Sequence, residues 1–292
     1  MKERERYIEV SPHVRLFATE TGSGPTVLLC DGLGCDGYIW QRLRPALARD
    51  YHVVHWNYRG HGRSDPPDDW SELSVEEMLR DLIAVMDVFG VECCSLLGHS
   101  MGVQVILQAA VDFPDRFSSV IPICGSYGRP LDTFYGTDLM LQVFPWVLEA
   151  SERFGRLGQR LWSGLNDFPM AWEFARRREM NPRRVGLETI RPYFEHMAKM
   201  DVRVFLQTLS YLRDHSVESR LEEISSPCLV IAGAHDTFTP VWLSRRMARM
   251  IPRAELLVVE DGTHVAPLEA PEEVESKIAE FIARNLRSRR SA

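Results

Sequence analysis

The segment Gly98-His99-Ser100-Met101-Gly102 constrains this chain more than any other, because of what flanks it. Before it lies a short apolar run, Cys93-Cys94-Ser95-Leu96-Leu97, and after it Val103 to Ala110 is apolar with helical spacing. A strand that turns directly into a helix leaves no room for bulk beside the turn, hence glycine two residues before and two after the serine. The serine hydroxyl then stands at the carboxyl edge of a sheet. It lies beside the amino end of a helix, whose partial positive charge suits an oxyanion. Ser100 is therefore a candidate nucleophile.

A serine nucleophile needs a base, and the base needs an orienting carboxylate. Pro227 to Gly233 reads as a buried strand leading into the polar loop Ala234-His235-Asp236-Thr237-Phe238-Thr239-Pro240. Ala254 to Glu260 reads as another, followed by Asp261-Gly262-Thr263-His264. Asp236 and His264 thus each follow the carboxyl end of a strand, where open parallel sheets gather their sites.

The rest of the chain alternates in the same way. Residues 7–20 read as an antiparallel strand pair broken at Ser11-Pro12-His13. Then come a strand at 27–30, a helix from Tyr38 to Arg49, a strand at 52–56 and a helix from Ser74 to Phe89. Ser74 and Glu77 have the spacing of a capping box for that helix. After the serine strand and its helix, Ser118 to Cys124 is the next strand, and Pro271 to Arg287 supplies the last helix. This alternation predicts an α/β fold with a doubly wound, mostly parallel sheet.

Between Ser126 and His215 the pattern changes. No buried strand is evident; several amphipathic helical segments are interrupted by Pro130, Pro145, Pro169, Pro182 and Pro192. Fourteen of the 28 aromatic residues fall in this stretch of 90, enough to pack it onto the core and still line a pocket. The expected organisation is a core of residues 1–125 and 216–292 with a helical cap, 126–215, inserted after the sixth strand.

Four segments together carry a family resemblance: Asp31-Gly32-Leu33-Gly34 through Trp40, Tyr58-Arg59-Gly60-His61-Gly62-Arg63-Ser64-Asp65, the turn at Ser100, and the Asp236 and His264 loops. In these the chain resembles α/β-hydrolase-fold enzymes of the capped serine esterase, haloperoxidase and lactonase type, and the chain order Ser, Asp, His is theirs. The resemblance implies Ser100 as nucleophile, His264 as base and Asp236 as its orienter. It also implies an oxyanion hole formed by the backbone N–H groups of Leu33 and Met101. Leu33 is carried over because similar enzymes have His-Gly before it and a tryptophan some eight residues on, a spacing Trp40 keeps.

The implied reaction is hydrolysis of small to medium, largely apolar esters or lactones through an acyl-enzyme, with no metal or organic cofactor. Two alternatives stand beside it. One is carbon–carbon bond hydrolysis of ring-cleavage products, although Val103 follows Gly102 where that group commonly has a second glycine. The other is a catalytically silent ligand-binding protein of this fold. Epoxide hydrolysis and dehalogenation are disfavoured, since those relatives need a carboxylate at the position of Ser100.

Among rival residues, Asp132 is the alternative acid, while His99, pointing away from the nucleophile, and His61 read as structural. His235 adjoins Asp236 and cannot easily also be its base. Asp31 departs from the family histidine and sets a carboxylate before the oxyanion loop. At about 8 Å and an effective dielectric of about 20, such a charge would oppose an oxyanion by roughly 2 kcal/mol. The expectation is that Asp31 accepts backbone N–H bonds and braces Gly32-Leu33-Gly34.

Composition narrows the partners. A net charge of −7 gives a nucleic-acid role no electrostatic support, which leaves a small-molecule substrate. No apolar run approaches the ~18 residues of a membrane span. Met1 to Arg6 lacks the apolar core of a signal peptide, so a cytoplasmic location is expected. The six cysteines show neither a disulfide framework nor zinc-ligand spacing; Cys35, in the oxyanion loop, reads as a packing or pocket-lining thiol. Arg176-Arg177-Arg178 reads as a solvated helix face and Arg284 to Arg290 as a frayed end. Nothing in the sequence sets an oligomeric state.

Overall fold

The computed structural model describes residues 3–290 except Asp138, without the side chains of Tyr135 and residues 288–290. Eight strands, β1 (Arg4–Ser11), β2 (Val14–Gly22), β3 (Thr26–Cys30), β4 (His52–Trp56), β5 (Cys94–His99), β6 (Phe117–Ile123), β7 (Cys228–Gly233) and β8 (Ala254–Val259), form one sheet. Its order is β1-β2-β4-β3-β5-β6-β7-β8. The first two pairings, β1 with β2 and β2 with β4, are antiparallel; every other pairing is parallel. The winding direction reverses at β3, which lies between β4 and β5. A crevice opens at such a switch point, beyond the carboxyl ends of the strands. Cys30 pairs with Gly98 there, so the Asp31 and Ser100 loops leave the sheet side by side.

Helices α1 (Leu43–Leu47), α2 (Val75–Val88), α3 (Met101–Asp112), α8 (Val241–Met250), α9 (Ala266–Glu269) and α10 (Pro271–Arg290) surround the sheet. Four more, α4 (Leu139–Asn166), α5 (Pro169–Glu179), α6 (Leu187–Lys199) and α7 (Val202–Asp214), lie between β6 and β7. The sheet is covered on both faces, and β5 and β6 are buried at every position. One core layer packs Leu82, Val105 and Leu243 against one face; the other sets Trp40, Leu47, Ile278 and Phe281 on the opposite one.

The Tyr58–Asp65 loop is anchored by a buried charge cluster. Arg59 forks onto both Asp81 oxygens at 2.8 Å, reaches Glu77 at 3.0 Å and also pairs with Glu72. Removing one member of a buried pair strands the other charge and costs about 3–5 kcal/mol, so the cluster fixes this loop to α2.

Three local expectations are corrected. The helix expected from Tyr38 to Arg49 is a 3₁₀ turn, Tyr38–Trp40, followed by the five-residue α1. Pro45 has no N–H to give to the carbonyl one turn back, so the two pieces cannot merge. The capping box is half formed: the Glu77 N–H donates to Ser74 Oγ at 3.3 Å, but the Glu77 side chain is taken by Arg59 and Arg80. The Arg284–Arg290 end is not frayed. It continues α10, and Arg284 pairs with Glu255.

The chain leaves the core and re-enters it side by side, through an antiparallel bridge between Gly128 and Ser216. In between, α4 bends at Gly155, whose φ of +26° suits only glycine, and packs against α6 and α7. Among the described residues no disulfide joins the six cysteines. Among the described residues no helix is long and apolar enough to cross a membrane, and no cluster of His, Cys, Asp and Glu could hold a metal ion.

Candidate active site

Ser100 follows β5 with φ +53° and ψ −113°, a backbone conformation that non-glycine residues rarely adopt. Such strain persists only where the surroundings over-determine it. A Cβ on Gly98 would lie 2.5 Å from the Gly102 carbonyl oxygen, and one on Gly102 would lie 2.5 Å from that of Cys30. Strand, turn and helix are therefore in backbone contact, and the Ser100 N–H donates to Ile123 O at 3.1 Å. Met101 opens α3, so its N–H is among the donors with no partner within the helix.

The loop after β8 brings His264 Nε2 to 2.9 Å from Ser100 Oγ. On the other side of the ring, His264 Nδ1 lies 2.9 Å from Asp236 Oδ2. Asp236 is itself locked: its Oδ1 accepts the N–H groups of Phe238 and Thr239 at 2.9 and 2.8 Å, and its Oδ2 accepts the Thr239 hydroxyl at 2.8 Å. Burial pushes the Asp236 carboxyl up, but His264 and the Thr239 bonds outweigh it and hold the group below the ordinary carboxylate value. It is ionised at neutral pH. Asp132, by contrast, is exposed in a 3₁₀ turn, and His235 is exposed beside the acid.

His99 lies nearer the site than the sequence indicated. Its Nε2 donates to the His264 carbonyl at 2.8 Å, its ring is 5.0 Å from that of His264, and Trp40 meets its edge. Burial, reinforced by His264, drives its pKa down to about 3, so it is a neutral prop beneath the His264 loop. A second prop carries no sequence signal: the buried Glu269 accepts the Thr263 N–H at 2.6 Å and its hydroxyl at 2.8 Å. Thr239 is equally inconspicuous in the sequence. Only the spacing Asp236-x-x-Thr239, which lets a hydroxyl fold back onto its own loop's carboxylate, could have signalled it. His61 is fully buried, with Nδ1 donating to Arg59 O at 3.0 Å.

Asp31 departs from expectation. It is fully buried, but it accepts no backbone N–H from the Gly32–Gly34 loop; Oδ2 bonds His55 Nε2 at 2.8 Å, and Oδ1 has no hydrogen-bond partner. The strand register explains it. Leu29 pairs with His55, and Asp31 lies two residues further along the same face, within reach of that imidazole. The loop turns through its own Cys35 N–H to Gly32 O bond instead.

These residues close on one cavity of about 410 Å³, within the range of small-molecule sites. Ser100, His264, Leu33 and Met101 all line it, as does Cys35, buried in the loop. Phe134, Phe174, Tyr193, Phe194, Phe205 and Phe238 are among the aromatic groups of its wall. Its polar groups include Gln104, held by His215 at 2.7 Å, and Glu179, which accepts the Thr237 hydroxyl at 2.7 Å. No lysine or arginine lines it among the described residues.

Comparison with known proteins agrees with this architecture. A Caulobacter vibrioides protein named as a carbamate hydrolase, RutD, is 27% identical over 274 residues, spanning 92% of this chain and 94% of that protein. A thermophilic esterase from Thermogutta terrifontis superposes with a TM-score of 0.74 at 22% identity, over 98% of this chain and 99% of the other. The enol-lactonase from Burkholderia xenovorans LB400 gives 0.69 at 20% identity, over 95% of this chain and all of the other. The sequence model for the alpha/beta hydrolase fold matches residues 25–271, most of the chain and every loop of the cavity floor, and the protein belongs to that family.

Proposed function

We propose that this protein is a serine hydrolase that cleaves neutral, largely apolar esters or lactones of small to medium size through an acyl-enzyme. The observation that carries the reading is the unbroken relay Asp236–His264–Ser100, with both links at 2.9 Å, at the floor of an aromatic cavity. His264 takes the Ser100 proton as the hydroxyl attacks the substrate carbonyl, and Asp236 holds the tautomer that leaves Nε2 free to accept it. The N–H groups of Leu33 and Met101 receive the oxyanion. As the tetrahedral intermediate collapses, His264 returns the proton to the departing alkoxide. Water then repeats the sequence on the acyl-enzyme, releasing the acid and restoring Ser100. The scheme uses no cofactor.

Residues 126–215 act as the cap in this reading, and their aromatic groups supply the acyl pocket. The lining argues for a neutral substrate: among the described residues it holds a carboxylate in Glu179 and no lysine or arginine to receive an anionic one. The carbamate activity named for the Caulobacter relative would use the same attack, on a more polar substrate.

The test is a panel of p-nitrophenyl esters of graded acyl length, lactones and dienones, with a fluorophosphonate probe to report the nucleophile. Ester or lactone turnover with labelling at Ser100 is expected, and Ser100→Ala should lower kcat about a million-fold, near the loss when a triad acts as a unit. Turnover confined to dienones would assign carbon–carbon hydrolysis. Full activity in Ser100→Ala, or no turnover of any activated ester, would overturn the proposal.

A further inference from the structure

The helices between β6 and β7 carry a second feature that substrate turnover does not need. The inner side of α4 is fully used: Gln159 Nε2, Trp162 Nε1 and Ser163 Oγ donate to the carbonyls of Met200, Met197 and Ala198. Its outer side is apolar too. Val143, Trp146, Phe154, Leu157, Leu161 and Leu165 recur at helical spacing on both sides of the Gly155 bend, all exposed, with Trp146 at 74% and Leu161 at 67%. The run continues through Phe168 and Met170 to Phe174, which is 72% exposed and also lines the Ser100 cavity. Scattered exposed apolar residues are ordinary; a continuous stripe of this length marks a docking surface.

Charge identifies what docks. The whole chain carries −7, yet residues 139–184 hold eight arginines against five carboxylates. Arg153, Arg156 and Arg160 alternate with the stripe, are exposed, and have no ion-pair partner among the described residues. Large aromatic and leucine side chains bordered by free arginines on one helix are the composition of a segment that lies in a lipid interface. Self-association fits less well, because it would stack the arginines of one copy near those of the next and cover Phe174.

We propose that the outer face of α4, with the adjoining end of α5, docks on an anionic phospholipid surface. The contact is peripheral: α4 lies in the headgroup region and the cavity mouth at Phe174 faces the lipid. Docking does not depend on which bond Ser100 attacks, and its test needs no turnover.

Flotation of the full chain with vesicles of phosphatidylcholine and phosphatidylglycerol, two to one, at physiological salt reads the proposal directly. The protein should float with these vesicles and far more weakly with pure phosphatidylcholine. Brominated lipid should quench tryptophan fluorescence, and Trp146→Phe should remove most of that quenching. An arginine near an anionic surface is worth about fivefold in partitioning, so Arg153→Gln/Arg156→Gln/Arg160→Gln should lose about a hundredfold on mixed vesicles. Leu157→Glu/Leu161→Glu should abolish flotation on both lipids while melting temperature is unchanged. Should that double variant fail to fold, the arginine triple variant carries the test alone. The proposal is overturned if the wild type stays with the aqueous phase, or if both variants float as it does. It is equally overturned if the wild type is a dimer that Leu157→Glu/Leu161→Glu splits, which gives the face to a second copy.

Discussion

Asp236→Asn separates the orienting role proposed for this residue from a merely structural one, because the structure dictates which way the new amide must face. Two backbone N–H groups, from Phe238 and Thr239, converge on Oδ1 at 2.9 and 2.8 Å. An NH2 placed there would face two donors and leave them unsatisfied, at about 1–3 kcal/mol each. The amide oxygen therefore keeps the Oδ1 position, and the NH2 takes that of Oδ2, 2.9 Å from His264 Nδ1. Nδ1 must then accept, which sends the ring proton to Nε2, where it faces Ser100 Oγ instead of a lone pair. The Thr239 hydroxyl can turn to accept from the amide, so the fold survives. Losing the correct tautomer costs about 10⁴ in kcat, or about 5.5 kcal/mol of barrier, with KM little changed. Steady-state and burst kinetics on the best p-nitrophenyl ester measure this, with circular dichroism melts to establish folding. A variant within tenfold of wild type would refute the argument. So would an Asp132→Asn variant crippled in its place.

Two further predictions concern buried polar groups. His55→Leu would leave the fully buried Asp31 carboxylate with neither oxygen bonded, costing about 3–5 kcal/mol and roughly 5–8 °C in Tm, whereas Asp31→Asn keeps an oxygen for His55 and should cost about 1–2 kcal/mol. Equal losses in urea melts would contradict the pairing. Burial holds His61 and His196 down to about 4 and His99 to about 3, so between those values and 6.5 the unfolded chain binds the protons. Stability is then intact above about pH 6.5 and falls as pH drops toward 4. Burial lowers His215 as well, and it raises Asp36 and Asp81 to about 6, which acts in the opposite sense, but two groups oppose four. A Tm that is level or rising from pH 6.5 down to 4.5 would contradict this.

What the sequence made legible was set by short-range chemistry. The Ser100 turn reads clearly because backbone contacts at Gly98 and Gly102 leave those positions no alternative. Asp236 and His264 were visible as polar residues just past apolar runs. The props around them were not, since each depends on a partner far along the chain. His99 meets the carbonyl of a residue 165 positions away, and Asp31 finds His55 only through strand register. Its short side chain looked like a turn brace for want of any visible partner. Periodicity likewise showed that residues 126–215 are helical and rich in aromatics, but not where each ring points. Tyr193 and Phe194 do line the cavity, while Trp146, Phe154 and Phe168 face solvent.

The helical segment and the Ser100 site are mechanically one unit on one side only. Glu269, which fixes the His264 loop through Thr263, also accepts the Asn181 N–H at 2.7 Å. The Asn181 side chain then bonds Asp261 O at 3.1 Å on the same loop. Two residues upstream, Glu179 at the end of α5 takes the Thr237 hydroxyl from the Asp236 loop. The end of α5 and the turn after it are thus tied to both the acid and the histidine loops, so they cannot shift without disturbing the 2.9 Å links to Ser100. The outward stripe of α4 carries no such ties; its bonds run inward to the carbonyls at the end of α6. The α4 stripe lines no part of the cavity, whose exposed rim at Phe174 belongs to α5. The ties that reach the Asp236 and His264 loops therefore come from the end of α5 and the turn after it, and the α4 face proposed to meet lipid stands apart from them.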